Sequence, residues 1–328
     1  MADLVTIYGG SGFVGRRVAR RMAQAGWRVR VAVRRPNEAL FVKTYGAPGQ
    51  VEPVLCNIRD EASTRAAMRG AAVVVNCVGT LAWRGRNRHV SVHTEGAARI
   101  ARLAAQEGVR RLVHLSAVGA AEDAPSRYGR TKAEGEARLR EAFPDAVILR
   151  PSVIFGAGDS LFERFASLAR LGPVMLLPHA RTRMQPVHVE DVAQAAFLAA
   201  TGDVAPGVIE LGGPEVVTLR TLLRRTLDVI ERRRLVLAMP AALMRILAFA
   251  LDMIEVASFG LIRNAVLTRD QISMLARDNV VAPGARTLAE LGVTPAAMGP
   301  ILPEYLWRFR PSGQYAAIKA TATQLRES

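Results

Sequence analysis

Cysteine is nearly missing from this 328-residue chain: Cys56 and Cys77 are the only two, each within an apolar, strand-like run. No C-x-x-C or other metal-ligand spacing occurs, so no metal site is expected, and two buried reduced thiols suit a reducing compartment. No apolar run reaches the ~20 residues of a membrane span. The first strand starts by residue 4, so no signal, transit or pro-segment is expected ahead of the fold. There is no internal repeat. Acidic residues are few beside basic ones, 29 Asp+Glu against 44 Lys+Arg, for a net charge of +15. Such an excess either covers the surface as solvated arginine or meets an acidic partner: a phosphorylated cofactor, an anionic membrane surface, nucleic acid or an acidic protein face. Neither a recognition motif nor an aromatic platform accompanies the charge, so nucleic acid is not an expected partner.

What is present is a core-forming composition, half of it hydrophobic, enough for one large or two intimately joined domains. The chain opens on a β-branched run that ends at Gly9, followed by glycines at 12 and 15. A helix is expected over 13–26, with Phe13, Val14, Val18, Met22 and Ala25 on one face. Strand, glycine turn and helix N-terminus in succession form the context of a dinucleotide fingerprint. A pyrophosphate reaches backbone N–H groups and the positive end of a helix only where side chains are absent. Gly9 permits the tight turn, Gly12 the close approach and Gly15 the packing of helix on strand, with Ser11, Phe13 and Val14 lining the turn.

Further strands are expected over 28–35, 51–58, 71–78, 111–118 and 146–154, with helices over 61–69, 90–107 and 127–142 between them. This alternation predicts an α/β fold with a doubly wound parallel sheet. Beyond Gly156 it loosens, and from Leu219 the chain reads as mainly helical. The expected organisation is a nucleotide-binding domain over 1–200, with 157–184 contributing to a second lobe, a helical lobe over 201–310, and a tail over 311–328.

Candidate chemistry collects at the carboxyl ends of the strands. The second ends in Arg34-Arg35, where an acidic residue would select NAD and arginine accommodates a 2′-phosphate; NADPH is therefore the expected cofactor. The third ends in Asn57-Ile58, and the fourth in Cys77-Val78-Gly79, beside the expected nucleotide. Ser116 ends the fifth strand, and Tyr128 and Lys132 stand four apart on the next helix, hence on one face. A cation one turn away is expected to lower the phenol's pKa and to hold ribose hydroxyls, while serine bonds a substrate oxygen and tyrosine moves its proton.

The residues of the glycine turn, Ser116, Tyr128-Gly-Arg-Thr-Lys132, Arg150-Pro-Ser-Val-Ile-Phe-Gly156 and Gln185-Pro-Val-His-Val-Glu-Asp-Val192 resemble the short-chain dehydrogenase/reductase superfamily, extended or atypical branch. The resemblance implies a Rossmann domain in which backbone around Pro151 and Val153 touches the nicotinamide end. Residues 141–145, 165–173, 267–271 and 288–308 resemble the NADPH-holding accessory-subunit family of respiratory complex I (alpha subcomplex, subunit nine type), in a bacterial version. That likeness implies a structural or regulatory role for NADPH. It also implies contact with core subunits near the quinone-binding module, at the cytoplasmic face of a bacterial inner membrane or the matrix face of a mitochondrial one. His93 stands where the superfamily usually carries an asparagine that organises a proton relay, which puts the chain's own redox turnover in doubt. The apolar stretch 240–257, after Arg232-Arg-Arg234 and before Phe259, Leu261 and Ile262, reads either as buried in the second lobe or as lying on a membrane protein or lipid interface. The competing expectation is a soluble NADPH-dependent reductase or epimerase that uses Ser116, Tyr128 and Lys132.

Overall fold

The computed structural model describes residues 2–80, 88–240, 242–244, 246, 248–250, 253 and 268–315. The expected apolar stretch 240–257 falls only partly within them, and Phe259, Leu261, Ile262 and the tail from 316 lie outside them.

The chain divides into two compact units, each built from separate stretches: 1–152, 189–212 and 281–295 form the first, and 153–188, 213–280 and 296–328 the second. In the first, β1 (Leu4–Tyr8), β2 (Arg28–Val33), β3 (Val51–Leu55), β4 (Val73–Asn76), β5 (Arg111–Leu115) and β6 (Val147–Pro151) join the strand Gly207–Leu211 in one seven-stranded sheet. Its order is Gly207–Leu211, β6, β5, β4, β1, β2, β3, with every pairing parallel. Parallel strands covered on both faces need unbroken apolar runs, and all four residues of β4 are buried. The helices α1 (Gly15–Gln24), α2 (Glu61–Met68), α3 (Glu95–Gln106) and α4 (Arg127–Ala142) connect these strands. From β1 the chain runs to β2 and β3 on one side, then returns to β4, β5 and β6 on the other. The strand order therefore reverses between β1 and β4, and open sheets of this kind bind ligands outside the carboxyl ends of the strands at that point.

Helix α1 is shorter than its expected span: Val18 and Met22 are fully buried, Phe13 and Val14 half-buried in the turn before it, and Ala25 exposed at its end. Its outer side carries Arg17, Arg20 and Arg21, which converge on Glu190 at 3.3, 3.1 and 3.0 Å. Glu190 opens the alanine-rich helix Val189–Thr201, whose small side chains let it lie close to α1.

The second unit packs around Phe155, Phe162, Phe165, Leu222, Leu227 and Leu302. Buried Asp159 accepts from the Phe162 N–H at 2.7 Å and from the Tyr305 hydroxyl at 2.5 Å. Where mostly helix was expected, Val174–Pro178 and Leu235–Met239 form a two-stranded parallel ribbon. Runs of five apolar residues do not separate strand from helix by periodicity, and the pairing decided the outcome.

Candidate functional site

The glycine turn spans the gap between the end of β1 at Tyr8 and the start of α1 at Gly15. Gly9 has φ +73°, a conformation that disfavours side chains, and its N–H donates to the Ala32 carbonyl of β2 at 3.0 Å. A Cβ on Gly15 would lie 2.3 Å from the Gly9 oxygen, so nothing larger than glycine fits there. Exposed Gly12 is different: an added Cβ would meet only the Gly9 oxygen, at 3.1 Å, and otherwise face open space. Gly10, which sequence reasoning passed over, is closed in on more sides than Gly12, with an added Cβ 3.0 Å from Val31 and 3.1 Å from the Ile7 oxygen. No side chain caps α1, and its first turn holds no acid but Arg16 and Arg17. Their guanidiniums donate back to the carbonyls of Gly12 (3.1 Å) and Phe13 (2.6 Å). Cations at the positive end of a helix dipole are unfavourable alone and suit an anion. The turn thus offers a helix start without a side-chain cap, an approach without side chains, and surplus positive charge.

Beside it, the loop after β4 closes in: an added Gly9 Cβ would lie 3.2 Å from Val78 and 3.3 Å from the backbone of Cys77. The turn, Cys77, Val78 and exposed Gly79 are therefore one neighbourhood. At the end of β2, both arginines are exposed. Arg35 pairs with Glu38 at 2.9 Å, whereas Arg34 makes no ion pair among the described residues. At the end of β3, the Asn57 side-chain oxygen accepts from the N–H and Nε of Arg59, both at 3.2 Å, and so is engaged in its own turn. Half-buried Ile58 faces α3, where a Cβ on Gly96 would come within 2.8 Å of it.

Ser116 follows β5 directly; it is buried, and its Oγ has no hydrogen-bond partner among the described residues. Helix α4 starts on a Ser126 cap that accepts from the Gly129 N–H at 3.0 Å, and this sets Tyr128 in its first turn. Lys132, one turn later, is buried and donates from Nζ to the carbonyl of Leu115 at 2.9 Å, so the lysine is held beside Ser116. Burial lowers the Lys132 amine to about 8, with Glu136 and Cys77 working against the shift. The expected effect of the lysine on Tyr128 does not appear. Burial pushes the phenol up to about 12, and the ammonium is directed to a backbone carbonyl.

His93 was expected within one helix over 90–107. Instead, Val90–Thr94 form a π-turn ahead of α3, an inserted residue that periodicity does not reveal. The buried ring accepts from the Thr80 N–H at Nε2 (3.1 Å), which assigns its proton to Nδ1, 3.2 Å from the Thr131 hydroxyl. Burial and then the Lys132 charge lower His93 to about 2, so it is neutral. A Cβ on Gly135 would lie 2.1 Å from the His93 carbonyl, showing how closely α4 sits on this turn. Asn76, which ends the fourth strand as expected, and His114, not singled out from sequence, bridge β4 and β5 at 3.0 Å, and burial lowers His114 to about 3.

Pro151 is buried in the first unit, where its carbonyl accepts from the Val118 N–H at 2.9 Å. Val153 belongs to the second unit, where its N–H donates to Asn279 Oδ1 at 2.8 Å. Within the first unit the structure gathers the turn, Cys77, Val78, Ser116, Tyr128 and Lys132 around the strand ends at which β1, β4 and β5 stop. This arrangement suits an anion at one end and a hydrogen-bonding oxygen at Ser116.

A family model, that of the NAD dependent epimerase/dehydratase family, matches residues 5–212. Among curated proteins, the chain is 30% identical to the NADH dehydrogenase [ubiquinone] 1 alpha subcomplex subunit 9, mitochondrial, of Arabidopsis thaliana, over 94% of this chain and 79% of that protein. It is 33% identical to the ceramide reductase of Caulobacter vibrioides, over 63% of this chain and 64% of that one. Among solved structures, the Thermus thermophilus UDP-glucose 4-epimerase complex with NAD superposes with a TM-score of 0.69 at 19% identity, covering 94% of this chain and 99% of that one.

Proposed function

The chain belongs to the NAD dependent epimerase/dehydratase family, and on that footing we propose that it is an accessory subunit of an NADH:quinone oxidoreductase, respiratory complex I, which holds NADPH in a structural or regulatory role. The observation that carries this reading is likeness to a complex I subunit along nearly the whole chain, second unit included. The pyrophosphate would lie on the Gly9–Gly15 turn, against Ser11, Phe13 and Val14. The 2′-phosphate would meet Arg34 and Arg35, and the adenosine end would meet Asn57 and Ile58. Cys77, Val78 and Gly79 would line the middle, and Tyr128, Lys132 and Pro151 the nicotinamide end. A ligand that binds only the folded chain adds stability in proportion to its occupancy, so NADPH needs no turnover to matter.

The partners in this reading are core subunits near the quinone-binding module and an anionic membrane surface, on the cytoplasmic face of a bacterial inner membrane or the matrix face of a mitochondrial one. Among the described residues no helix is long and apolar enough to cross a membrane. Support for a surface contact comes from the second unit, the proposed partner-facing lobe. Leu243, Ile246, Phe249 and Met253 are exposed there, as are Leu235 and Leu237, which follow Arg232-Arg-Arg234. Purification of the tagged chain from native membranes should bring down the complex and release NADPH on denaturation. Recovery of an intact complex without this chain would sink the proposal.

A second reading, an NADPH-dependent reductase or epimerase, is favoured by one observation: the unpartnered Ser116 hydroxyl beside Lys132, with Tyr128 on the same helix face. NADPH would supply the hydride. Ser116 would hold a carbonyl oxygen, and Tyr128, protonated at neutral pH, would deliver the proton to it. A ketone-bearing lipid of the kind implied by the reductase relative is the first substrate to try. NADPH oxidation that survives Tyr128→Phe unchanged would remove this reading.

A further inference from the structure

Lysine is the scarce cation of this chain: Lys43, Lys132 and Lys319 are the only lysines among 44 basic residues. Arginine stays charged at any physiological pH, whereas a buried lysine can lose its proton. Among the described residues, Lys132 is the lysine placed in the interior, 4% exposed. Tyr128, Lys132 and Glu136 follow at four-residue intervals along one stripe of α4. Glu136 is fully buried, and both of its oxygens accept from Arg150, at 3.0 Å from Nε and 2.6 Å from Nη2. Arg150 Nη1 lies 3.6 Å from Glu210 Oε1, and the other Glu210 oxygen accepts from the Ala282 N–H at 2.8 Å. Arg150 thus joins two carboxylates, from α4 across β6 to the strand Gly207–Leu211, and holds Glu136 one helical turn beyond Lys132 on the same stripe of α4. The remaining groups that face Lys132 are Cys77 from β4, His93 from the π-turn and His114 from β5. Burial keeps the thiol protonated and both imidazoles neutral. Glu136 is the carboxylate that favours the charged form of the lysine.

We propose that Glu136, locked in place by Arg150 and Glu210, is the positioning residue that keeps Lys132 charged at the Leu115 carbonyl, and thereby sets the pH range over which the crevice holds a dinucleotide. The second half rests on the nucleotide reading above. The physical reason is that a desolvated ammonium persists only beside a fixed countercharge, and a carboxylate bound bidentately cannot swing away. Without Glu136 the lysine would lose its proton at a lower pH, and any ribose or phosphate oxygen it holds would lose an ionic partner. Affinity for NADPH then falls as pH rises through the lysine's titration, and removing Glu136 moves that fall toward acid.

The test is a pH titration of the full-length chain labelled with 13C,15N-lysine, in which three lysine signals are easily separated, paired with fluorescence titrations of NADPH at pH 6 and pH 8. Lys132 should titrate near 8 in the parent protein. In Glu136→Gln its midpoint should fall by about one unit or more, and in Glu136→Asp, which restores the charge, stay within about half a unit. NADPH affinity of Glu136→Gln should lie within about threefold of the parent at pH 6 and drop about fivefold or more below it at pH 8. Should Glu136→Gln fail to fold, Glu210→Gln leaves the Arg150 clamp intact and should move the midpoint in the same direction by a smaller step. An unmoved Lys132 midpoint in whichever variant folds overturns the role given to Glu136. A moved midpoint with NADPH affinity unchanged at both pH values overturns the link to the cofactor, and a parent protein that binds no NADPH at either pH overturns the nucleotide reading itself.

Discussion

The ring of Tyr128 stands edge-on to the ring of His93, 5.1 Å between centroids and 86° between planes. Because that imidazole accepts a backbone N–H and lies buried, it is a neutral wall against the tyrosine, not a proton donor. The same holds for His114 across the site. Both histidines have folded-state pKa values far below the ~6.5 of an unfolded chain, so the unfolded state binds their protons first. Their contribution to stability is whole above pH ~6.5 and is lost as pH falls from there toward about 3. Two such groups predict a loss approaching ~2.7 kcal/mol per pH unit below pH 6. Urea melts at pH 7, 6 and 5 check the slope. His93→Asn combined with His114→Asn should flatten it, and an equally steep fall in that double variant would refute the assignment.

The glycine turn yields a paired prediction. Gly15→Ala forces a methyl to within 2.3 Å of a backbone oxygen, so helix and strand must separate. The expected cost is ~2–4 kcal/mol of stability, with loss of nucleotide binding. Gly12→Ala meets one contact at 3.1 Å on an exposed residue and should fold within about 1 kcal/mol of the parent. Its methyl would nevertheless stand where a pyrophosphate needs to come close. Thermal melts with and without NADPH distinguish the two; a full NADPH-induced rise in Gly12→Ala would show that the phosphates lie elsewhere.

The two arginines after β2 should not be equal. Arg35 is already neutralised by Glu38, whereas Arg34 has no ion pair among the described residues. Arg34→Ala should weaken NADPH about tenfold or more, through loss of a charge-assisted phosphate contact, and leave NADH within about twofold. Arg35→Ala should change either affinity by no more than about threefold. Isothermal titration with both nucleotides decides it, and the reverse order would reassign the 2′-phosphate to Arg35.

Much of this layout could be read in advance, because its signals are local. Glycine spacing, two arginines at a strand end, and a tyrosine and lysine four apart all lie within a few residues of one another. What escaped was non-local or non-periodic. The π-turn at Val90–Thr94 adds a residue to a pattern that averages over whole turns, so 90–107 read as one helix. Asn76 and His114 meet only because β4 and β5 are neighbours, and Glu136 and Arg150 only because α4 lies over β6. The strand Gly207–Leu211 returns to the sheet beside β6 from well beyond the helices that precede it. The tyrosine and lysine share one face of α4 as their spacing implies, yet burial raises the phenol where a lowering by the ammonium was expected. Sequence gives the spacing of an ammonium but not the carbonyl, here Leu115, that claims it.

Ser116 separates stability from function most cleanly. Its hydroxyl is buried at the end of β5, the residue 5% exposed, and among the described residues no group accepts from or donates to it. A buried hydroxyl without a partner costs roughly 1–3 kcal/mol, so removing it should help the fold. Ser116→Ala is therefore expected to raise stability by up to about 1 kcal/mol in urea melts, the loss of a small packing contact offsetting part of the gain. The same substitution takes away the hydrogen bond that a bound oxygen would receive. If the chain only holds NADPH, affinity and assembly should be nearly unchanged; if it reduces a carbonyl, NADPH oxidation should fall about a hundredfold or more. A destabilised Ser116→Ala would mean that the hydroxyl already has a partner in the folded chain, and the case for a waiting oxygen site would go with it.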